Sequence, residues 1–300
     1  MNSFITLTKR NIKLFFKDKG MFFTSLITPL ILLVLYATFL GNVYRDSFMS
    51  GIPEQITLSK EVVDGLVGGQ LISSILAVSC ITVAFCSNFL MVQDKANGTI
   101  KDFNITPIKP AIMSLSYYFA TLISTLLICF IALGGCLIYI ACVGWYFSFI
   151  DILFLILDVF VLVLFGTALS SLINFFLSTQ GQISAVGAII SSCYGFICGA
   201  YMPISSFSKG LQKVISFLPG TYGTSLVRNH SLNGSLEALI DEGVPEPVVD
   251  ELRGVLDCNV YFFDNKVEVS TMYLILIGVT LFLIGSYILL NYFKIKRKKI

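Results

Sequence analysis

Six apolar runs, at residues 21–40, 68–92, 113–143, 150–173, 182–203 and 270–293, each meet or approach the roughly 20 residues that carry a helix across about 30 Å of hydrocarbon. Backbone groups in lipid have to bond within their own segment, so runs of this length commit the chain to helices. A soluble reading fails on composition. With 56% hydrophobic residues, 13% charged and a mean hydropathy of +0.85, 300 residues would have too little polar surface. The expectation is an all-α integral membrane protein with six transmembrane helices, the third long enough to tilt or to continue past the bilayer.

Basic residues near the span ends orient such a bundle, because cytoplasmic loops carry the excess of Lys and Arg. With the N-terminus inside, one side collects the basic clusters of 9–19, 95–109 and 294–299, and both termini are expected to be cytoplasmic. The formal net charge of +2 conceals an asymmetry, since the outer segment 231–269 holds nine acids against Arg253 and Lys266. The first run follows the basic stretch without a small-residue cleavage site and is expected to remain in the mature protein.

Between the second and third runs lies QDKANGTIKDFNITPIKP, residues 93–110, a polar, basic hinge with two prolines. Two spans hold it against the inner face of the bilayer, where it is placed to receive force from a soluble partner. Residues 1–20 precede the first span, and 4–17 project as an amphipathic helix. Thr6, Lys9, Arg10, Lys13 and Lys17 share one arc, and Phe4, Ile5, Ile12, Phe15 and Phe16 share the opposite one. Such a helix lies in the interface as a lipid anchor or as a docking surface.

The fifth run carries Gly187, Ser191, Gly195 and Gly199 at steps of four, a small-residue stripe that favours close helix packing over a functional cavity. After it, apolar residues recur at helical spacing between Pro203 and Pro219. The segment 204–223 is read as an outer amphipathic element, followed by the acidic segment 231–269 without a fold signature.

Motifs for chemistry are sparse. No GxxxxGK[ST] phosphate loop occurs, and the one histidine, His230, offers neither a metal cluster nor a catalytic triad and reads as a surface or interfacial residue. Seven of the eight cysteines fall in or beside the runs and read as small packing residues, with Cys258 alone in the outer loop. Asp158 is an acid deep in the fourth run. A cation or proton site is one reading, and a neutral packing acid near Asp151 is the favoured one, because no other charged residue lies deep in a span to complete a relay. Trp145 and Tyr146 read as interfacial aromatics at the outer turn.

Taken in order, the interfacial helix at 4–17, the hinge after the second span and the passage GAYMPISSFSKGLQ…FLPGTYG before the sixth resemble a permease subunit of the ABC-2 exporter family, the type V fold of ATP-binding-cassette transporters. In that family the hinge is the coupling helix. Asp94, Lys95, Gly98, Thr99, Ile100, Thr106 and Pro107 fit its pattern, whereas Lys101 replaces a common acid and Asn104 a common aliphatic residue. The resemblance implies a transmembrane domain over 21–293, after the interfacial helix of 1–20 and before a basic tail at 294–300. It implies two separate ABC ATPase subunits that bind ATP and Mg, and a second copy or a related permease in contact through spans one and five. Membrane lipids surround the complex in the plasma membrane, and no nucleic acid is involved. The chain itself then has no cofactor, metal or catalytic residue. Its cargo would be hydrophobic or amphipathic: a drug, lipid-linked molecule, pigment or peptide toxin. Lys9, Arg10, Lys13 and Lys17 are the expected contacts for acidic ATPase surfaces or anionic lipid. The competing class is an ion- or proton-coupled secondary transporter that uses Asp158, against which stands the absence of paired broken-helix repeats. A membrane enzyme lacks a catalytic constellation.

Overall fold

The computed structural model describes residues 2–50, 58–263 and 265–297, which form twelve α-helices and one short hairpin. Helix α1, Asn2–Lys17, stops at Asp18, whose carboxylate accepts from the Met21 N–H at 3.1 Å and so caps α2, Lys19–Leu35. Pro29 lies inside α2, and a π-helical turn, Tyr36–Leu40, carries it into α3, Gly41–Ser50. Then follow α4, Lys60–Ala96; α5, Thr99–Asn104; α6, Pro110–Val143; α7, Phe149–Phe176; and α8, Gln180–Ile197. The remainder is α9, Lys209–Ile215; α10, Pro219–Asp241; α11, Glu246–Val255; β1, Val260–Phe262; β2, Asn265–Val267; and α12, Val269–Arg297. The expected all-α class is amended by the antiparallel hairpin, which sets Val260 opposite Val267.

Among the described residues, five helices are long and apolar enough to cross a membrane: Lys19–Asp46, Lys60–Ala96, Pro110–Val143, Phe149–Phe176 and Val269–Tyr292. The fifth expected run, 182–203, forms α8, which ends at Ile197 and does not join these five. Its 18 residues begin with Gln180 and Gln182, which lower its apolarity. Gln182 serves locally, since Thr179 Oγ1 accepts from its N–H while its own amide oxygen accepts from the Thr179 N–H, a reciprocal cap. Asp151 has the same function in α7, pairing with Ser148.

Helix α4 is the axis of the bundle. It is about 55 Å long at 1.5 Å per residue, and α2, α6, α7, α8 and α10 pack around it. A helix enclosed on every side needs no amphipathic stripe, and Gln70, Ser73, Ser79, Thr82 and Asn88 are all buried within it. Helices in lipid gain from small residues and cross-bonds. Asn88 Nδ2 donates to Ser170 Oγ at 3.1 Å and Ser171 Oγ at 2.9 Å on α7. A Cβ at Gly166 would lie 2.8 Å from the Cys80 carbonyl, so only glycine lets α7 approach this closely.

The two ends of the bundle are named from the chain turns, the hinge end at 93–110 and the far end at 144–148. Helix α10 starts inside the bundle, where Gly223 abuts Leu162, about 20 Å along α7 from the far-end turn, and it finishes beside Tyr146. The expected outer amphipathic element, 204–223, is therefore divided. Ile204–Ser206 and α9 form short turns, whereas residues 219–223 open a buried helix. The acidic segment, expected to lack fold signature, consists of the rest of α10, α11 and the hairpin; Asp264 lies outside the described residues. Cys258, expected in a loop, is buried. The basic tail at 294–300 begins as the last turn of α12, and 298–300 lie outside the described residues.

Candidate functional site

At Gly98 the chain leaves α4 and starts α5 with φ +82°, a left-handed conformation that costs a residue bearing a Cβ about 1–2 kcal/mol. A β-carbon there would meet nothing within 4 Å, so the constraint is the backbone and not space. One six-residue helix follows, Thr106 Oγ1 closes it onto the Phe103 carbonyl at 2.6 Å, and Pro110 opens α6. The hinge is thus a compact helical bracket between two long helices.

Its polar residues divide into a buried set and an exposed set. Asp94, with its side chain 7% exposed, accepts from Arg10 Nη1 at 2.5 Å and Nη2 at 3.1 Å, and from the Tyr117 hydroxyl at 2.5 Å. Arg10 also stacks over Phe103 of α5 at 5.2 Å. The hydrogen bond to Asp94 raises the guanidinium pKa further above its ordinary value. The Asp94 carboxylate therefore joins α1, α4 and α6, and Arg10 extends the contact to α5. Lys95 turns to the opposite side, and its Nζ donates to the carbonyls of Asn174, Phe175 and Leu177 at 2.8, 2.9 and 3.0 Å. A cation on the last carbonyls of α7 is where the helix dipole favours it.

The sequence reading assigned Asp94 and Lys95 to ATPase coupling and Arg10 to acidic ATPase surfaces or anionic lipid; in the structure all three side chains make contacts within the chain. The outward face is left to Lys101, Asp102, Ile105, Thr106, Pro107 and Lys109, with Ile105 86% exposed, while Gly98, Thr99 and Ile100 are half-buried. On α1, Thr6, Lys9, Lys13 and Lys17 are exposed, and Leu7, Thr8, Asn11 and Phe15 are buried. Ile5, expected on the apolar side, is exposed, because the buried face turns toward α6.

Residues 2–230 match the family model described as the ABC-2 type transporter. The chain belongs to that family. No curated protein matches it. It is an ABC permease and a multi-pass membrane protein, and ABC-2 permeases work with ABC ATPase partners.

In this permease the small-residue stripe of the fifth run does not persist as one face. Gly199 lies past the end of α8 at φ +76°, and a Cβ there would crowd Ile204, Asp257 and Arg228. At Gly195 the ring of Tyr201 occupies the space. Gly187 and Ser191 line a groove of about 520 Å³ between α2, α4 and α8, with Thr24, Phe89 and Gln93 also on its wall.

Two buried polar clusters of the ABC-2 permease have partners that the sequence reading did not bring together. Asp158 is not alone: His230 Nδ1 of α10 lies 2.6 Å from its Oδ2, and the Tyr273 hydroxyl of α12 donates to its Oδ1. The side chain of His230, read as a surface or interfacial residue, is 13% exposed and stacks on Phe154 with ring centres 4.7 Å apart. Arg228, fully buried, donates to Asp257 Oδ2 at 2.7 Å and to the Gly199 carbonyl, while Asp257 also accepts from the Ile204 N–H at 2.8 Å. Burial raises the Asp257 pKa and Arg228 opposes that; the hydrogen bonds of the pair pin residues 199–204 to α10.

Proposed function

We propose that this chain is the permease subunit of an ATP-driven exporter of hydrophobic or amphipathic cargo. It sits in the plasma membrane with both termini cytoplasmic and six spans, α8 serving as the fifth. Two such permeases, identical or related, pair with two ATPase subunits, which bind ATP and Mg. The observation that carries this reading is the bracket at 93–110, fastened inward by Asp94 and Lys95 and presenting Ile105, Thr106 and Pro107 outward. A segment that is rigid on one side and bare on the other can take a push from a soluble partner and pass it to α1, α4, α6 and α7.

The groove between α2, α4 and α8 supports a pathway on that side, because it begins beside Asp18 and Gly20 at the hinge end and is walled by Met21, Ile27 and Phe89 as well as by polar groups. Exposed apolar residues of α2, including Phe23, Ile27, Ile31 and Val34, flank it and suit a second permease or lipid. The test is reconstitution with candidate ABC ATPases from the same organism, measuring ATP-dependent movement of candidate cargoes in liposomes. Transport that persists without any ATPase would overturn the reading.

A further inference from the structure

Helix α10 is pinned on opposite faces. Arg228 and His230 are two residues apart, about 200° around the helix, and they reach different partners. The Arg228 pin is permanent, since guanidinium stays protonated in proteins. The His230 pin is not, because imidazole is the side chain that changes charge between about pH 5 and 8.

Around His230, α7 contributes Asp158 and Phe154, and α12 contributes Tyr273. Helix α4 contributes Cys80, which interacts with Asp158 and whose Sγ lies 4.0 Å from the Val159 carbonyl. Arg228, on α10 itself, is engaged with Asp257 and Gly199. The only cation bonded to Asp158 among the described residues is thus His230, when protonated. The Tyr273 O–H donates to Oδ1, and Oδ2 lies 2.6 Å from His230 Nδ1, within reach of a charge-assisted bond when the imidazole is protonated. A carboxylate ionised between α7, α10 and α12 would need a counter-charge, and the imidazolium is the group placed to supply it.

We propose that Asp158, His230 and Tyr273 form a proton-operated clasp that holds α10 against α7 and α12 and so sets how readily the far end of the permease opens. With the imidazole protonated the pair is neutral and closed. Loss of that proton leaves the buried carboxylate holding only an uncharged Nδ1–H, so the clasp weakens and α10 depends more on the Arg228 pin. The idea that opening serves transport rests on the proposed function, whereas the clasp itself does not.

The chain has one histidine, so the imidazole can be read without assignment. Full-length protein carrying ¹⁵N-histidine and a histidine-free tag, placed in lipid nanodiscs, would be followed by NMR from pH 5 to 9. Amide exchange of α10 would be compared with that of α6 at each pH. The expected result is an imidazole doubly protonated at low pH and neutral with the proton on Nδ1 at high pH, with α10 protection relative to α6 falling about tenfold across the same change. In Asp158→Asn the imidazole change should move about one pH unit lower, a tenfold loss of proton affinity. Tyr273→Phe should keep the coupling between imidazole and α10. A ring that stays neutral with its proton on Nε2, or α10 protection that ignores the titration in the native chain, would overturn the clasp. Neither readout needs ATPase or cargo, so failure of the exporter reading would leave the outcome unaffected.

Discussion

Arg10 and Asp94 stand 84 residues apart in the chain and 2.5 Å apart in space, and through them the first helix is fastened to the hinge. The Tyr117 hydroxyl completes the contact from α6. A carboxylate so enclosed that loses its cation costs about 1–3 kcal/mol or more, because its desolvation is no longer offset. Arg10→Met and Asp94→Asn should therefore lower the melting temperature in detergent and uncouple ATP hydrolysis from transport. The exchanged pair Arg10→Asp with Asp94→Arg should recover part of both. Equal melting and transport in all three variants would show that the contact is incidental.

The left-handed residue at Gly98 yields a sharper test, because the space beside it is empty. Gly98→Ala should cost about 1–2 kcal/mol through its backbone alone. Gly98→Pro, whose ring fixes φ near −65°, should break the bracket outright and abolish coupling while the long helices still insert. Normal ATP-dependent transport in Gly98→Pro would remove the hinge from the mechanism.

Cys258 reports on the Arg228 pin. Burial pushes its thiol up to about 12, so almost none is thiolate at pH 7 to 8, where maleimides react. Its carbonyl accepts from Ser225 Oγ at 2.8 Å and from Asn229 Nδ2 at 2.6 Å, which ties it to α10. In a background where Cys142 and Cys193 are serine, the native chain should resist an impermeant maleimide, and raising the pH to 9 should change little, since the thiol titrates well above that. Asp257→Ala leaves Arg228 buried without its counter-charge and should expose Cys258, raising labelling at least about tenfold. Fast labelling of the unaltered chain would contradict the packing of the far end.

The small-residue stripe now carries a different expectation. Gly195→Leu would drive a side chain into the Tyr201 ring, and Gly199→Leu would also meet a left-handed backbone, so both should fail as folding variants within one chain. The proposed contact between two copies is expected on the exposed face of α8, which includes Cys193. Oxidative cross-linking of membranes should yield a disulfide-linked dimer that Cys193→Ser removes and Cys142→Ser does not. Dimers that depend on Cys142 would move the contact to α6.

Much of the architecture was legible because long apolar runs obey one physical rule, and α4, α6, α7 and α12 contain the expected spans with only their ends extended. The bracket was legible for a similar reason, since prolines, glycine and charge between two spans leave few alternatives. What the side chains of Asp94, Lys95 and Arg10 do was not, because a basic and acidic surface pattern does not distinguish charges that face a partner from charges that face each other. Asp158 and His230 are 72 residues apart and meet only because α10 turns back beside α7, a fold event with no local mark. The one available signal was that a single deep acid and a single histidine occur in the same chain. Gly199 misled for the opposite reason: its spacing of four continued after the helix had ended.

Asp158→Asn separates proton control from proton drive. An ATP-driven permease needs no titrating group in its spans, and an asparagine of the same size can still accept from Tyr273. ATP-dependent transport in proteoliposomes should therefore continue in Asp158→Asn, with its dependence on outer pH flattened because the clasp no longer pairs with the imidazolium. A secondary transporter behaves otherwise: a proton or cation gradient alone would move cargo in the native chain, and the amide, unable to exchange the coupling ion, would stop it. Running the native and Asp158→Asn chains once with ATP and the partner ATPase, and once with a gradient and neither, gives four rates. Cargo movement in only the two ATP arms fits regulation of an ATP-driven exporter. Gradient-driven movement abolished by Asp158→Asn would instead make this acid the engine and displace the ATPase from the account.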